Sequence, residues 1–229
     1  MTRFSLLELR RGQRQPLGPK GVLSGIYKEP VAGPLPALEE GLPGDEQGDR
    51  RHHGGPDKAL HAYASEHYPL WARDFPEQAE HFRAGAFGEN LVLRGVVEAD
   101  ICLGDRWRLG ECLLEVSQGR QPCWRLNLRF ERPDMARLVQ QTGRSGWYFR
   151  VIRPGNIQAG ESGYLEERPH PEWTIERAAH LLYRDRMNRE ELEEFAALPR
   201  LPESWRRLAL ARLATGKTED WSRRLETPS

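Results

Sequence analysis

The sequence predicts a mainly β domain with interspersed helices, followed by a small unit of three helices. Three observations carry this expectation. Between residues 87 and 165, short β-branched and aromatic runs alternate with glycine-marked turns. From Trp173 onward the apolar spacing becomes helical, in three segments with capping residues. A chain of 229 residues, 38% hydrophobic, can bury one large core with an appendage.

Taken in order, residues 1–20 are rich in Arg, Gln, Pro and Gly and predict an irregular start. GVLSGIYKEPV (21–31) predicts a strand bounded by Gly and Pro. Residues 32–56 are punctuated by Gly and Pro and predict a long loop with one short strand. Over 57–75, Leu60, Tyr63, Ala64, His67, Trp71 and Phe75 recur at helical spacing. Pro56 stands where a first-turn proline would, and Pro69 is expected to divide the run into two helical pieces. FGENLVLRG (87–95) returns to a strand pattern. CLGDRWRLGECLLEVSQ (102–118) predicts a hairpin turning at Gly110.

DMARLVQQTG (134–143) predicts a short helix stopped by Gly143. GWYFRVIRPG (146–155) predicts a strand, with a further turn and strand after it. In the C-terminal unit Thr174 caps the first helix, with Trp173 placed to pack against Ala178, and Asn188 with Glu191 forms a capping-box spacing. Pro202 opens the third helix, whose Trp205, Leu208, Ala209 and Leu213 share a face, and Gly216 ends it. The tail after Lys217 is polar. The expected domains are therefore 1–168 and 169–229. The second is too small to stand well alone and should pack on the first domain or on a partner.

Composition narrows the function. The formal net charge is zero and mean hydropathy is −0.72, so overall electrostatics gives no support to nucleic-acid or anionic-membrane binding. No run approaches the roughly 18 apolar residues of a membrane helix, and the N-terminus lacks a signal-peptide core. Three cysteines are too few for a disulfide framework and fit a reducing cytoplasm. Arginine outnumbers lysine 30 to 4, which marks Lys28 and Lys58 as positions where a point charge can matter.

Cys102 and Cys112 lie in apolar strand patterns and read as core. Cys123 is different. In SQGRQPCWRLN it sits behind Pro122 among Arg120, Arg125 and polar amides. Such surroundings favour a thiolate, the form that reacts and binds metals. Reaction, metal binding and space filling all stay open. In RRHHGGPDKAL (50–60), Gly54 and Gly55 allow close backbone approach, and Arg51, His53 and Lys58 add positive charge before a helix start. A tight loop with incidental basic residues is the plain alternative. Glu89 and Asn90 in FGENL can bond a ligand or cap a turn. A zinc site among His52, His53, His61 and His67 lacks the usual ligand spacing. His170 and His180 read as surface or core. G-x-S-x-G, P-loop and G-x-G-x-x-G motifs are missing from the sequence.

The order GLPGDEQGD, HHGGPDKALHAYASEHYPLW, FGENL, GDRWRLGECLLEVSQGRQPCWRLN, TGRSGWYFRVIRPG and GKTEDWSRRL resembles the MOSC-domain family, and within it the YiiM-type branch with its added three-helix domain. The resemblance spans about Ser24 to Leu225. It implies a barrel-like β fold built around a molybdenum cofactor (molybdenum on molybdopterin), with Cys123 as metal ligand. It also implies reduction of N-hydroxylated substrates, including nucleobase analogues, hydroxylamines and amidoximes. Gln121 departs from the small residue expected before Pro-Cys, which bears on substrate preference.

Charge and loop position make Lys28, Arg51, His53, Gly54, Gly55 and Lys58 candidate anchors for the cofactor's phosphate or pterin. Arg120, Arg125 and Asn127 are candidate donors to the pterin or to the metal's oxygens. Glu89, Asn90 and Asp105 would orient the groups that touch the ligand. The chain carries no flavin, haem or iron–sulfur motif, so the implied partner is an external electron-donating reductase, expected to be a flavoprotein. Neither nucleic acid nor membrane is expected as a partner, and a homodimer stays open. The competing readings are a non-catalytic molybdenum-cofactor carrier and a sulfur-transfer protein.

Overall fold

The computed structural model describes residues 2–49 and 54–228. Its strands are β1 (Arg3–Arg11), β2 (Gln15–Leu17), β3 (Val22–Ser24), β4 (Glu29–Pro30), β5 (Leu35–Ala37), β6 (Leu60–Ala64), β7 (Leu91–Arg94), β8 (Arg106–Leu109), β9 (Cys112–Gly119), β10 (Trp147–Arg153), β11 (Gly155–Ile157) and β12 (Ser162–Glu167). The α-helices are α1 (His67–Asp74), α2 (Arg125–Arg129), α3 (Met135–Thr142), α4 (Ile175–Tyr183), α5 (Arg189–Ala197), α6 (Glu203–Thr215) and α7 (Ser222–Leu225). Among the described residues, seven strands run β12-β8-β9-β10-β6-β7-β1, and β12 pairs with β1 to close a barrel. The pairings are antiparallel except β6 with β7.

The hairpin was legible. Leu109 faces Cys112, and Gly110 takes φ +53 at the first turn position, where a two-residue loop requires a positive angle. The expected irregular start is corrected: β1 is a nine-residue strand of the barrel. Phe4, Leu6 and Leu9 are its inward residues, and a register shift between Leu6 and Glu8 resets the alternation, which hides the period-two signal. The helical reading of 57–75 is also corrected in its first half. Residues 60–64 form an interior strand between β7 and β10, buried at all five positions because Leu60 and Ala62 join one apolar cluster and Tyr63 a second. Pro69 lies in the first turn of α1 and does not divide it, while Pro56 opens a 3₁₀ turn, Pro56–Lys58.

The C-terminal helices form as the caps suggest. The Thr174 side chain accepts from the Arg177 amide at 3.0 Å, and Asn188 from the Glu191 amide at 3.2 Å. Trp173, Ile175, Phe195 and Trp205 belong to the same contiguous apolar core as the barrel's Leu114, Val116 and Trp147. The appendage therefore packs on the barrel. A second cluster, with Tyr63, Trp71, Phe82, Phe87, Phe130 and Val139, joins α1, α2 and α3 on the barrel's other flank. Leu225 of the tail reaches into it, so the polar tail is a docked segment. No helix among the described residues is long and apolar enough to cross a membrane.

Candidate functional site

A cleft of about 590 Å³, open solvent included, is walled by charged and polar side chains together with Ile26 and Phe87 of the second cluster. Residues of β3, β6 and β10 and of the loops 25–28, 45–48, 87–90 and 120–123 build it. Cys123 follows β9 on the short connection to α2. The Arg120 amide donates to Gly146 O at 2.9 Å, and the Leu126 amide to Cys123 O at 2.9 Å, which turns the chain and sets the sulfur at the wall. Cys123 is 7% exposed and belongs to neither apolar cluster, unlike the core thiol Cys112. Burial pushes the Cys102 and Cys112 thiols up to about 11, consistent with inert packing.

The expected Lys28, Lys58, Asn90, Arg120 and Arg125 all line this cleft with Cys123. Lys28 forms a buried ion pair with Asp45, whose second oxygen accepts from Asn90 Nδ2 at 3.0 Å. Arg10 holds the Lys28 carbonyl with two bonds, 3.0 and 2.7 Å. Burial pulls the Lys58 ammonium below its usual range, against the attraction of Asp57 and Cys123. Arg120 is buried, and its Nη1 has no hydrogen-bond partner among the described residues, nor has Arg125 Nε. Gln118 faces Tyr148 across the β9–β10 ladder and leaves both amide atoms unpartnered among the described residues. Gln118 does not line the cleft, and unpartnered buried atoms also occur elsewhere, at Trp107, Trp147 and Trp205 among others; on the wall itself Arg120 and Arg125 are the side chains that keep such an atom.

Five expected residues are not on the wall. Glu89 spends its carboxylate locally, accepting from the Gly85 and Phe87 amides at 2.6 and 2.9 Å and from the Tyr68 hydroxyl. Asn127 accepts from the Ala136 amide at 2.8 Å and donates to Leu225 O at 2.9 Å, tying α2 to α3 and the tail. Gly54 and Gly55 precede the 3₁₀ turn that carries Lys58 and do not reach the cleft. Asp105 is likewise structural: it binds Arg168 at 2.6 and 2.9 Å and the Cys102 amide at 3.0 Å. Arg51 and His53 lie outside the described residues. Among the described residues no three His, Cys, Asp or Glu side chains gather as a metal-binding set.

Sequence reasoning weighed His61 only as part of a zinc set and missed Tyr148; the two are neighbours in register across β6 and β10 with rings 5.1 Å apart. Burial, reinforced by Arg120, holds His61 near a pKa of about 3, so it is neutral. Burial raises the Tyr148 hydroxyl, with Arg120 acting in the opposite sense. It also missed the mouth, Ser24–Gly25 against Glu46–Gly48, and the floor at Phe87, which stacks on Tyr63 at 4.4 Å. Recognising residues 60–64 as a strand is the signal that would have brought His61 forward.

Two family descriptions match this chain, a MOSC domain over residues 49–163 and a YiiM-like, 3-alpha helix domain over residues 173–216. Protein YiiM of Escherichia coli (strain K12) is 44% identical over 207 residues, covering 90% of this chain and 92% of that protein. A Gibberella moniliformis protein named "Reductase" is 37% identical over 200 residues, covering 85% of this chain and 35% of that longer protein. The crystal structure of YiiM from Escherichia coli superposes with a TM-score of 0.81 at 40% identity, covering 94% of this chain and 100% of that one.

Proposed function

Since the chain belongs to the MOSC-domain family and carries the YiiM-like three-helix domain, we propose that it is a molybdenum-cofactor-dependent reductase of N-hydroxylated compounds. The observation that carries the proposal is the thiol of Cys123 on the wall of a cleft lined by Lys28, Lys58, Arg120 and Arg125, where Arg120 Nη1 and Arg125 Nε have no partner among the described residues. The relative named "Reductase" supports the class of reaction.

The residues present fit such a group. A thiolate suits a metal already held by sulfur. Arg120 Nη1 and Arg125 Nε are donors with spare capacity for the pterin or its phosphate. Lys28 and Lys58 add positive charge on the same wall. When bound, the cofactor supplies the two-electron chemistry that takes oxygen from an N–OH group.

Overall, the N–OH bond is exchanged for N–H with release of water, using two electrons and two protons from outside the chain. The protein binds, orients and supplies protons. Tyr148 lines the cleft, and burial favours its protonated hydroxyl at neutral pH, a group able to donate to a substrate. Lys58, its ammonium destabilised by burial, can pass a proton to the departing oxygen. Neutral His61 and the Phe87 ring give the floor a flat, weakly polar surface suited to a planar substrate. An external reductase delivers the electrons.

The test is Cys123→Ala, expressed in a host that makes the cofactor. Molybdenum and pterin content should fall, and reduction of an N-hydroxylated base by an artificial donor should drop to background, with the melting temperature nearly unchanged. Full turnover in that folded variant would refute the ligand role. Bound molybdenum without turnover in the unaltered protein would point to a carrier instead.

A further inference from the structure

The tail beyond residue 216 lies outside both matched domains, yet it meets the cysteine loop. The amide of Trp124 donates to Arg224 O at 2.7 Å. Arg224 Nη1 donates to Pro122 O. The residues on either side of Cys123 are thus both bonded to Arg224, one through its side chain and one through its backbone. The guanidinium is fixed in turn. Its Nη2 donates to Gln140 Oε1 at 2.5 Å on α3, and its plane lies 4.4 Å from the Trp221 ring centroid and 5.6 Å from that of Tyr183. Leu225 is buried in the second cluster, and Asn127 Nδ2 holds its carbonyl. The Arg224 charge lies within electrostatic reach of Cys123.

We propose that Arg224 is a positioning residue for Cys123, its guanidinium holding the Pro122 carbonyl while its own carbonyl holds the Trp124 amide, so that the sulfur is presented to the cleft in one place. This inference rests on the reading of Cys123 as metal ligand. The loop's other backbone ties, Arg120 to Gly146 and Leu126 to Cys123, hold its ends, and Arg224 adds bonds on both sides of the cysteine. Arginine is required because its planar fork spans two acceptors, whereas lysine offers one point of charge. The three-helix unit acquires a second role: it carries the chain back to the site it does not itself line.

The experiment uses full-length protein loaded in a cofactor-competent host. Arg224→Ala and Arg224→Lys are compared with Arg223→Ala, the exposed neighbour on the same helix, and with Cys123→Ala. For Arg224→Ala, kcat per loaded chain should fall about tenfold with KM within about twofold, the pattern of a misplaced reactive group. Molybdenum content should fall, and in cofactor-free protein hydrogen exchange over residues 118–127 should quicken. Arg224→Lys should recover part of kcat, and Arg223→Ala should match the unaltered protein.

Wild-type kcat, metal content and exchange in a folded Arg224→Ala would overturn the proposal. Should that variant fail to fold, Arg224→Lys and Gln140→Ala carry the test, and wild-type kcat and metal content in both would overturn it. Cys123→Ala separates the two levels. If it keeps metal and turnover, the ligand reading fails. If it loses both while Arg224→Ala keeps both, the positioning role alone fails.

Discussion

Glu115 and Arg120 stand on one continuous stretch of chain, both buried, in opposite surroundings. One oxygen of Glu115 accepts from Arg150 Nη1 at 3.1 Å, and the other accepts from Arg106 Nε at 3.1 Å and from Arg200. Arg150 also binds Asp57 and the Arg200 carbonyl, so this junction joins the barrel to the loop between α5 and α6. Arg120, a short way along, lines the cleft and leaves its buried Nη1 without a partner among the described residues. A buried charge whose partners are complete belongs to the architecture. A buried charge with spare bonding capacity beside a cleft belongs to a ligand.

The largest test of that contrast is Glu115→Ala. It should destabilise by about 3 kcal/mol, at the low end for a broken buried ion network because Arg200 is half exposed and rehydrates. The melting temperature should fall by roughly 10 °C, while metal content per folded chain stays unchanged. Altered metal content without altered stability would reverse the two roles.

Arg120→Ala is the complement. Its stability should change by no more than about 1 kcal/mol, since the lost guanidinium was incompletely matched, whereas cofactor retention through gel filtration should drop about tenfold. Loss of stability with retention intact would erase the distinction.

A smaller effect tests the cleft by pH. His61 resists protonation down to about pH 3 in the fold, whereas an unfolded histidine accepts a proton near pH 6.5. The unfolded state therefore holds more protons between these values. Stability is unaffected by His61 above about pH 6.5 and falls as the pH drops through the window, by up to about 1.4 kcal/mol per pH unit. His61→Gln should flatten the acid side of the melting-temperature profile between pH 6 and 4. Parallel profiles would show that the imidazole is not held neutral.

The smallest change is expected at Arg189→Ala on α5, where an exposed pair with Glu193 at 3.0 Å contributes less than about 0.5 kcal/mol. Chemical denaturation that shows more would mean that exposed pairs in this chain carry weight the buried network was thought to monopolise.

Much of the fold was legible where local chemistry acts alone. Gly110 fixed the hairpin, Gly143 and Gly216 stop helices in the left-handed conformation, and Thr174 and Asn188 cap them. What stayed hidden depends on partners distant in sequence. β1 reads as charged because its outward residues are, and its inward ones are broken by a bulge. Leu60–Ala64 has an apolar run that suits helix or strand equally until β7 and β10 flank it. Asn127 and Glu89 looked like ligand donors because nothing in the sequence says that Leu225, Ala136 and Gly85 will claim their side chains first. The clustering of Lys28, Lys58, Arg120 and Arg125 around Cys123 was anticipated from charge and loop position, although they derive from three separate segments.

The closure of β12 onto β1 has a consequence for biosynthesis. Of the barrel strands β1 comes first in the chain, and beyond its short pairing with residues 29–30 its edges stay bare until residues 91–94 and then 162–164 emerge to pair with it. Exposed strand edges invite association with other chains. Arg3, exposed on the strand, sets a charge there that discourages such encounters while the nascent ring is still incomplete.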